Sequence, residues 1–172
     1  MVYIVPKYVK NLAACDMFQH ELEKIRFPMV ELTTHVTIKT TQLSIITAML
    51  AGTVKAYASK PTRNFAGVQM YVSRYARVFP LGGLALGPLM VAGVYFGKKL
   101  DRDGLYDRCY RLRHNNGELR RDRASLIGLS AGYVFSRFTW GCPYFACTAG
   151  MCIVMGLVGF WQHKGWFDNK LP

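Results

Sequence analysis

Apolar residues along this chain are gathered into four stretches that carry few charges, and basic segments separate them. The clearest stretch is 78–97, which contains no charged residue. A helix needs about 20 residues to cross the ~30 Å hydrocarbon core of a bilayer, so this stretch predicts a membrane span. The stretch 138–162 meets the same requirement. Two more, 40–54 and 124–136, meet it only if the basic residues at their ends extend to the membrane surface.

These stretches predict an all-α membrane protein, a four-helix transmembrane bundle preceded by an N-terminal extension. The extension, residues 1–36, has apolar residues at helical spacing between 12 and 26, which indicates an amphipathic helix on a membrane or partner surface. An ordinary surface helix that ends before Pro28 fits the pattern equally well. A short helix is expected near 103–113, inside a basic loop. The domains are a four-span membrane domain 37–167 (spans about 38–58, 78–97, 123–139 and 143–162), with its loop 98–123, and a tail 168–172.

Small residues recur at every fourth position inside the apolar stretches. Residues four apart share one face of a helix, and stripes of glycine, alanine and serine let helices approach closely in lipid. Glycine is also common in membrane helices generally, but the repetition of small residues at this spacing in all four stretches favours packing. Pro88 is expected to loosen or kink the second span. The expected helix-packing residues are Ser44, Ala48, Gly52, Gly83, Gly87, Gly93, Gly97, Gly128, Gly132, Gly150 and Gly156.

The formal net charge of +12 adds a second feature to this architecture. The segment 55–77 holds five basic residues and no acid, and 98–123 holds nine basic and five acidic residues. Nucleic-acid binding is one interpretation of such a charge. Beside apolar spans, anionic lipid headgroups such as cardiolipin explain it more simply, at about 1 kcal/mol per basic residue, and we expect no nucleic-acid partner. The expected headgroup residues are Lys55, Arg74, Arg77, Arg120, Arg121 and Arg123.

The residues that usually carry chemistry form no recognisable site. The five cysteines include no CxxC pair, and the last three are five residues apart, too widely spaced to converge on a metal. The four histidines are at edges or in loops and include no HExxH motif. The spans contain no acid, and their basic candidates, Lys39, Lys55 and Arg137, are near span ends, whereas proton-coupled carriers keep a charge at membrane depth. We therefore expect no catalytic residue, no metal and no cofactor other than bound phospholipid.

Four segments together have a pattern that is typical of one family. They are T40-TQLSIITAMLAGTVKAY-57, F65-AGVQMYVSRYARVFPLGGLALG-87, G128-LSAGYVFSR-137 and the closing G165-WF-167. These short, glycine-rich spans resemble the mitochondrial inner-membrane protein-translocase channel family, and in particular its translocase-like accessory subunit of respiratory complex I. The resemblance covers roughly residues 37–167.

The resemblance implies a non-catalytic, multi-pass helical bundle of the inner mitochondrial membrane, made without a cleaved presequence and with both termini facing the intermembrane space. As an accessory subunit of NADH:ubiquinone oxidoreductase (complex I), it would support assembly and stability of the membrane arm. Its partners would be core and accessory membrane-arm subunits and anionic lipid. The alternative is a component of an inner-membrane protein import or insertion translocase, which needs a polar cavity on one bundle face. A small-solute carrier is disfavoured because the spans have no charge near their middle.

Overall fold

The computed structural model describes residue 25 and residues 27–97, 101–139 and 142–164. These residues are almost all helical, no strand is present among them, and the expected all-α class is confirmed. The helices are α1 (Pro28–Ala58), a 3-10 turn (Lys60–Thr62), α2 (Phe65–Gly97), α3 (Arg102–His114), α4 (Asn116–Thr139) and α5 (Pro143–His163).

Local capping explains where the helices begin. Asp101 precedes α3, and its carboxylate accepts a hydrogen bond of 2.6 Å from the backbone N–H of Arg102. Asn115 separates α3 from α4, and its side-chain oxygen accepts a bond of 3.1 Å from the backbone N–H of Glu118. Two helices therefore occupy 102–123. The prediction of a loop over 98–123 is wrong for those residues, although the short helix expected near 103–113 is present as α3.

The helix α2 is also longer than the sequence reading expects. It has 33 residues and remains a single helix through Pro80 and Pro88. Its first turns include residues that the apolar pattern assigns to a basic connection before the span. Arg74 and Arg77 consequently project from a helix and not from a loop.

Two helices, α2 and α5, are long and apolar enough to cross a membrane. Helices α1 and α4, in which spans were expected at 38–58 and 123–139, do not meet the same test, so a four-span bundle is not confirmed. The uncharged run of α1 has 15 residues between two lysines, and that of α4 has 13 between two arginines. At 1.5 Å per residue these runs extend only about 20–24 Å.

The chain divides into two compact units, and each helix except α3 and α5 contributes residues to both. The first unit combines residues 1–40 and 84–123. Its buried apolar residues include Val91, Leu105 and Leu119. Charged residues are buried beside them, and these form the candidate site below.

The second unit combines residues 41–83 and 124–172, and glycines bring its helix backbones together. A methyl group built on Gly52 would lie 2.6 Å from the Cα atom of Val72, and one on Gly128 would lie 2.5 Å from the carbonyl oxygen of Gly150. Both distances are shorter than a real side chain tolerates, so only glycine permits these approaches. The rings of Phe65 in α2 and Phe145 in α5 meet edge to face at 5.6 Å.

Three predictions fall outside the described residues, apart from residue 25. They are the amphipathic helix at 12–26, the closing motif at 165–167 and the tail 168–172.

Candidate functional site

One face of α1 carries three ionisable residues at consecutive helical turns. Glu31, His35 and Lys39 are four residues apart, a spacing that places their side chains on the same side of the helix. All three lie in the first unit, and each faces a charged residue of α3 or α4. We call Glu31, His35, Lys39, Arg113, Glu118 and Asp122 the charge cluster.

At one end of the charge cluster, Glu31 and Arg113 form a two-pronged ion pair. The Nε atom of Arg113 donates to Oε2 of Glu31 at 3.0 Å, and its Nη2 atom donates to Oε1. The Glu31 side chain is 5% exposed and that of Arg113 is 1% exposed. Parallel N–H bonds from a guanidinium to a carboxylate are the strongest form of ion pair in proteins. This pair fastens the end of α3 to the start of α1.

At the other end, Lys39 bridges two carboxylates of α4. Its Nζ atom lies 2.6 Å from Oδ1 of Asp122 and 2.6 Å from Oε2 of Glu118. The Asp122 side chain is completely buried, and its second oxygen lies 3.5 Å from Nδ1 of His35. A buried carboxylate without such partners would be very costly, so α1 and α4 are required to pack together here.

The thiol of Cys109 lies next to the Glu31–Arg113 pair, on α3. It is fully buried and donates to the carbonyl oxygen of Pro28 at 3.1 Å. Burial, together with the negative charge of Glu31, raises the pKa of Cys109 to about 11, although Arg113 and a backbone hydrogen bond from Leu32 act in the opposite direction. At neutral pH the residue is therefore a protonated thiol that helps fix α3 against α1.

The charges of this arrangement balance, and it contains no nucleophile that is activated for chemistry. With Arg121, which contacts Glu118 at 2.6 Å, three basic side chains oppose three carboxylates, His35 apart. Among the described residues, no group of three His, Cys, Asp or Glu side chains is placed to hold a metal ion. What the geometry provides is attachment of α1 to two other helices through buried charge.

The six expected headgroup residues divide between the two units. Lys55, Arg74 and Arg77 lie in the second unit and are exposed, and the Arg77 guanidinium is 4.8 Å from the centre of the Tyr144 ring. Arg120, Arg121 and Arg123 lie in the first unit, where Arg121 is paired with Glu118 and the other two are half-buried and have interaction partners.

The expected helix-packing residues also divide into two groups. Gly52, Gly87, Gly128, Gly132 and Gly150 each lie against the backbone of another helix, Ala48 and Gly83 are buried, and Ser44 is half-buried. The other three are exposed, and a methyl group there would meet no other helix among the described residues. These three are Gly93, Gly97 and Gly156.

The sequence reading missed the charge cluster because it assigned its members to separate places. It placed His35 among the edge histidines and the acids of 98–123 in a loop. The available signal was the four-residue spacing of Glu31, His35 and Lys39, matched by the four-residue spacing of Glu118 and Asp122. Two helices with complementary charges at the same period are expected to pair.

Comparison with known proteins gives a family and no function. No curated protein matches the chain. Residues 8–142 match the model of a family described as a protein of unknown function, DUF1757. The match includes the charge cluster and ends before α5. Because it covers most of the sequence, the chain belongs to the DUF1757 family.

Proposed function

We propose that this chain is a non-catalytic structural subunit of the inner mitochondrial membrane, embedded by four helices, and an accessory subunit of NADH:ubiquinone oxidoreductase (complex I). In this role it supports assembly and stability of the membrane arm. Both termini face the intermembrane space.

One observation carries the membrane part of the proposal. Only 17% of the most apolar window of α2, and 11% of that of α5, is buried inside the fold. The core helix of a soluble protein is mostly buried, whereas these two helices expose Leu81, Leu89 and Phe160, among many others. An apolar surface of this extent requires a cover of lipid or of apolar partner subunits.

The interior supports a structural role. Its specific features are close backbone contacts at glycines and buried ion pairs, and both hold helices together. Threonine hydroxyls that could line a translocation path are used locally. Thr47, Thr53 and Thr148 each donate to the carbonyl oxygen four residues earlier, at 2.9, 2.8 and 2.6 Å. This favours the accessory subunit over the translocase component.

The assignment to complex I rests on the sequence resemblance described above. Solubilising mitochondria in a mild detergent and separating native complexes tests it. We expect the tagged chain to migrate with the band that oxidises NADH, at every detergent level that preserves that band. Migration in a smaller complex that retains an arrested precursor protein would contradict the proposal and favour the translocase.

We also propose that the exposed basic residues of the second unit bind anionic lipid headgroups. Its described residues contain seven lysines and arginines and no acid. Lys55, Arg74 and Arg77 are exposed, and exposed apolar residues accompany them on α1 and α2. Phosphate headgroups at the boundary of an apolar helix surface match this combination.

A further inference from the structure

The charge cluster lies beside the most apolar part of α2. Within the first unit, a methyl group built on Gly87 would come within 2.5 Å of the Cα atom of Thr37, so α1 and α2 touch at these two residues. Thr37 stands between His35 and Lys39 on α1. Gly87 is near the middle of the uncharged stretch 78–97. His35 and Lys39 are therefore level with the middle of this uncharged stretch, whereas the sequence reading placed Lys39 near the end of a span.

The outer surface of α2 at this level is apolar. Leu86 is 48% exposed, Leu89 is 67% exposed and Met90 is 49% exposed. On the other side of α1, by contrast, Asp122 is completely buried and Lys39 is only 28% exposed. The bridge of Lys39, Glu118 and Asp122 thus faces mainly inward and α2 directs apolar side chains outward, while Arg121, which pairs with Glu118, is 44% exposed. Paired ionisable residues that face the interior are the arrangement expected at membrane depth.

This arrangement explains how α1 and α4 can cross a membrane although neither is apolar enough by itself. Lys39 in α1 is a cation that hydrocarbon would not accept alone, and Glu118 and Asp122 in α4 are anions with the same difficulty. Paired at 2.6 Å, they satisfy one another, and the exposed surface that remains includes apolar residues such as Leu43 and Leu126.

We infer that α1 and α4 enter the membrane together as an ion-paired helix pair, and that the bridge from Lys39 to Asp122 and Glu118 makes their insertion possible. The inference rests on the proposed membrane location. It adds one condition to this location: neither helix is stably inserted until Lys39 of α1 has paired with Glu118 and Asp122 of α4.

The test uses the full chain in mitochondria, with an epitope tag at each terminus. After the outer membrane is removed, two quantities are measured: the fraction of the chain that resists carbonate extraction, and the access of protease to each tag. In the wild type both tags are accessible. If α1 and α4 stay outside the membrane while α2 crosses in its wild-type orientation and α5 crosses back, both tags move to the opposite, protected side.

Three variants distinguish loss of this ion-paired bridge from general destabilisation of the fold. Lys39→Met removes the cation that bridges Asp122 and Glu118, and we expect integrated chain in the wild-type orientation to fall about tenfold or more. Adding Glu118→Gln and Asp122→Asn removes the two carboxylates that Lys39 bridged, and we expect recovery to within about twofold of the wild type. Arg108→Met removes an exposed arginine of the same unit that belongs neither to the charge cluster nor to the expected headgroup residues, and it is the matched control, with wild-type behaviour expected.

Two outcomes overturn the inference while the proposed membrane location stands. One is Lys39→Met inserting as the wild type does. The other is the triple variant inserting as poorly as Lys39→Met, since that would make Lys39 necessary for a reason other than neutralising α4. A wild-type chain that carbonate extracts completely would instead contradict the membrane location itself.

Discussion

At the scale of single residues, burial distinguishes the ion pairs that stabilise the fold from those that lie on its surface and contribute little to its stability. Arg111 and Asp107 of α3 pair at 2.9 Å, but their side chains are 77% and 54% exposed. Arg113, two residues further, pairs with Glu31 at 1% and 5% exposure. The same residue type therefore has two different roles on one short helix.

Replacing Arg113 with methionine is expected to destabilise the protein by about 3–5 kcal/mol, because Glu31 would remain buried without its cation. Arg111→Met is the matched control and should cost at most about 1 kcal/mol, since an exposed pair is screened by water. The free energy of unfolding in detergent micelles, measured by denaturant titration, gives both values. Equal effects of the two substitutions would contradict the structural importance of the buried pair.

Cys109 is expected to resist alkylation in the native protein. The thiolate is the reactive form, and burial with the neighbouring Glu31 charge raises the pKa of this thiol to about 11. N-ethylmaleimide at neutral pH should leave Cys109 unmodified until the chain is denatured, as read by peptide mass spectrometry. Rapid modification of the folded protein would show that the contact with Pro28 is open.

The same thiol predicts a loss of stability in alkali. An unfolded cysteine ionises near pH 8.5, whereas Cys109 in the fold keeps its proton up to about pH 11. Between these values the unfolded state releases a proton that the folded state retains, so stability falls as the pH rises through this range. In Cys109→Ala this part of the alkaline loss should be absent from unfolding curves recorded between pH 8 and 11. Identical curves for the two proteins would contradict it.

At the scale of elements, the sequence predicted the helices better than it predicted their ends. The charge-free stretch 78–97 and the proline at 143 located α2 and α5 well. The sequence did not reveal that α2 begins at Phe65, because the basic segment 55–77 is equally compatible with a loop and with an exposed helix surface. The charge cluster could not be found from hydropathy, since pairing across helices depends on which faces meet.

Small-residue stripes show the same distinction between pattern and contact. Gly128 and Gly132 lie against α5, while Gly156 in α5 and Gly93 in α2 would each accept a methyl group without meeting another helix among the described residues. Spacing of four residues identifies a face of a helix. Whether a neighbouring helix covers that face is decided by the fold and cannot be read from the spacing.

Gly128→Ala is expected to weaken the α4–α5 contact by about 1–3 kcal/mol, because the new methyl group would lie 2.5 Å from a backbone oxygen that cannot rotate away. Gly156→Ala adds the same group in open space, and its higher helix propensity should leave stability unchanged or slightly raised. Thermal unfolding of the two purified variants in the same detergent makes the comparison. A destabilised Gly156→Ala together with a stable Gly128→Ala would contradict the packing that the structure describes.

At the scale of the whole molecule, the two units differ in charge. The described part of the first contains six acids and eight lysines and arginines, whereas that of the second contains no acid and seven lysines and arginines. The net charge of +12 therefore comes largely from a unit that also exposes many large apolar residues. No acidic side chain among the described residues of this unit opposes its basic residues, which is why an anionic partner is proposed for it.

This difference predicts where acidic lipid is retained. Replacing Lys55, Arg74 and Arg77 with glutamine should weaken binding of cardiolipin by up to about 3 kcal/mol, at about 1 kcal/mol for each basic residue. The control replaces Arg102, Arg108 and Arg111, three exposed arginines of α3, a helix that also carries Asp103 and Asp107. Lipid that remains with each purified protein is counted by mass spectrometry, and titration of cardiolipin into delipidated protein gives the affinity.

We expect the variant of Lys55, Arg74 and Arg77 to lose most of its acidic lipid and the control variant to lose little. Equal losses of acidic lipid from the two variants would mean that the total charge of the protein, and not the position of its basic residues, governs lipid binding. That result would contradict a headgroup site on the second unit.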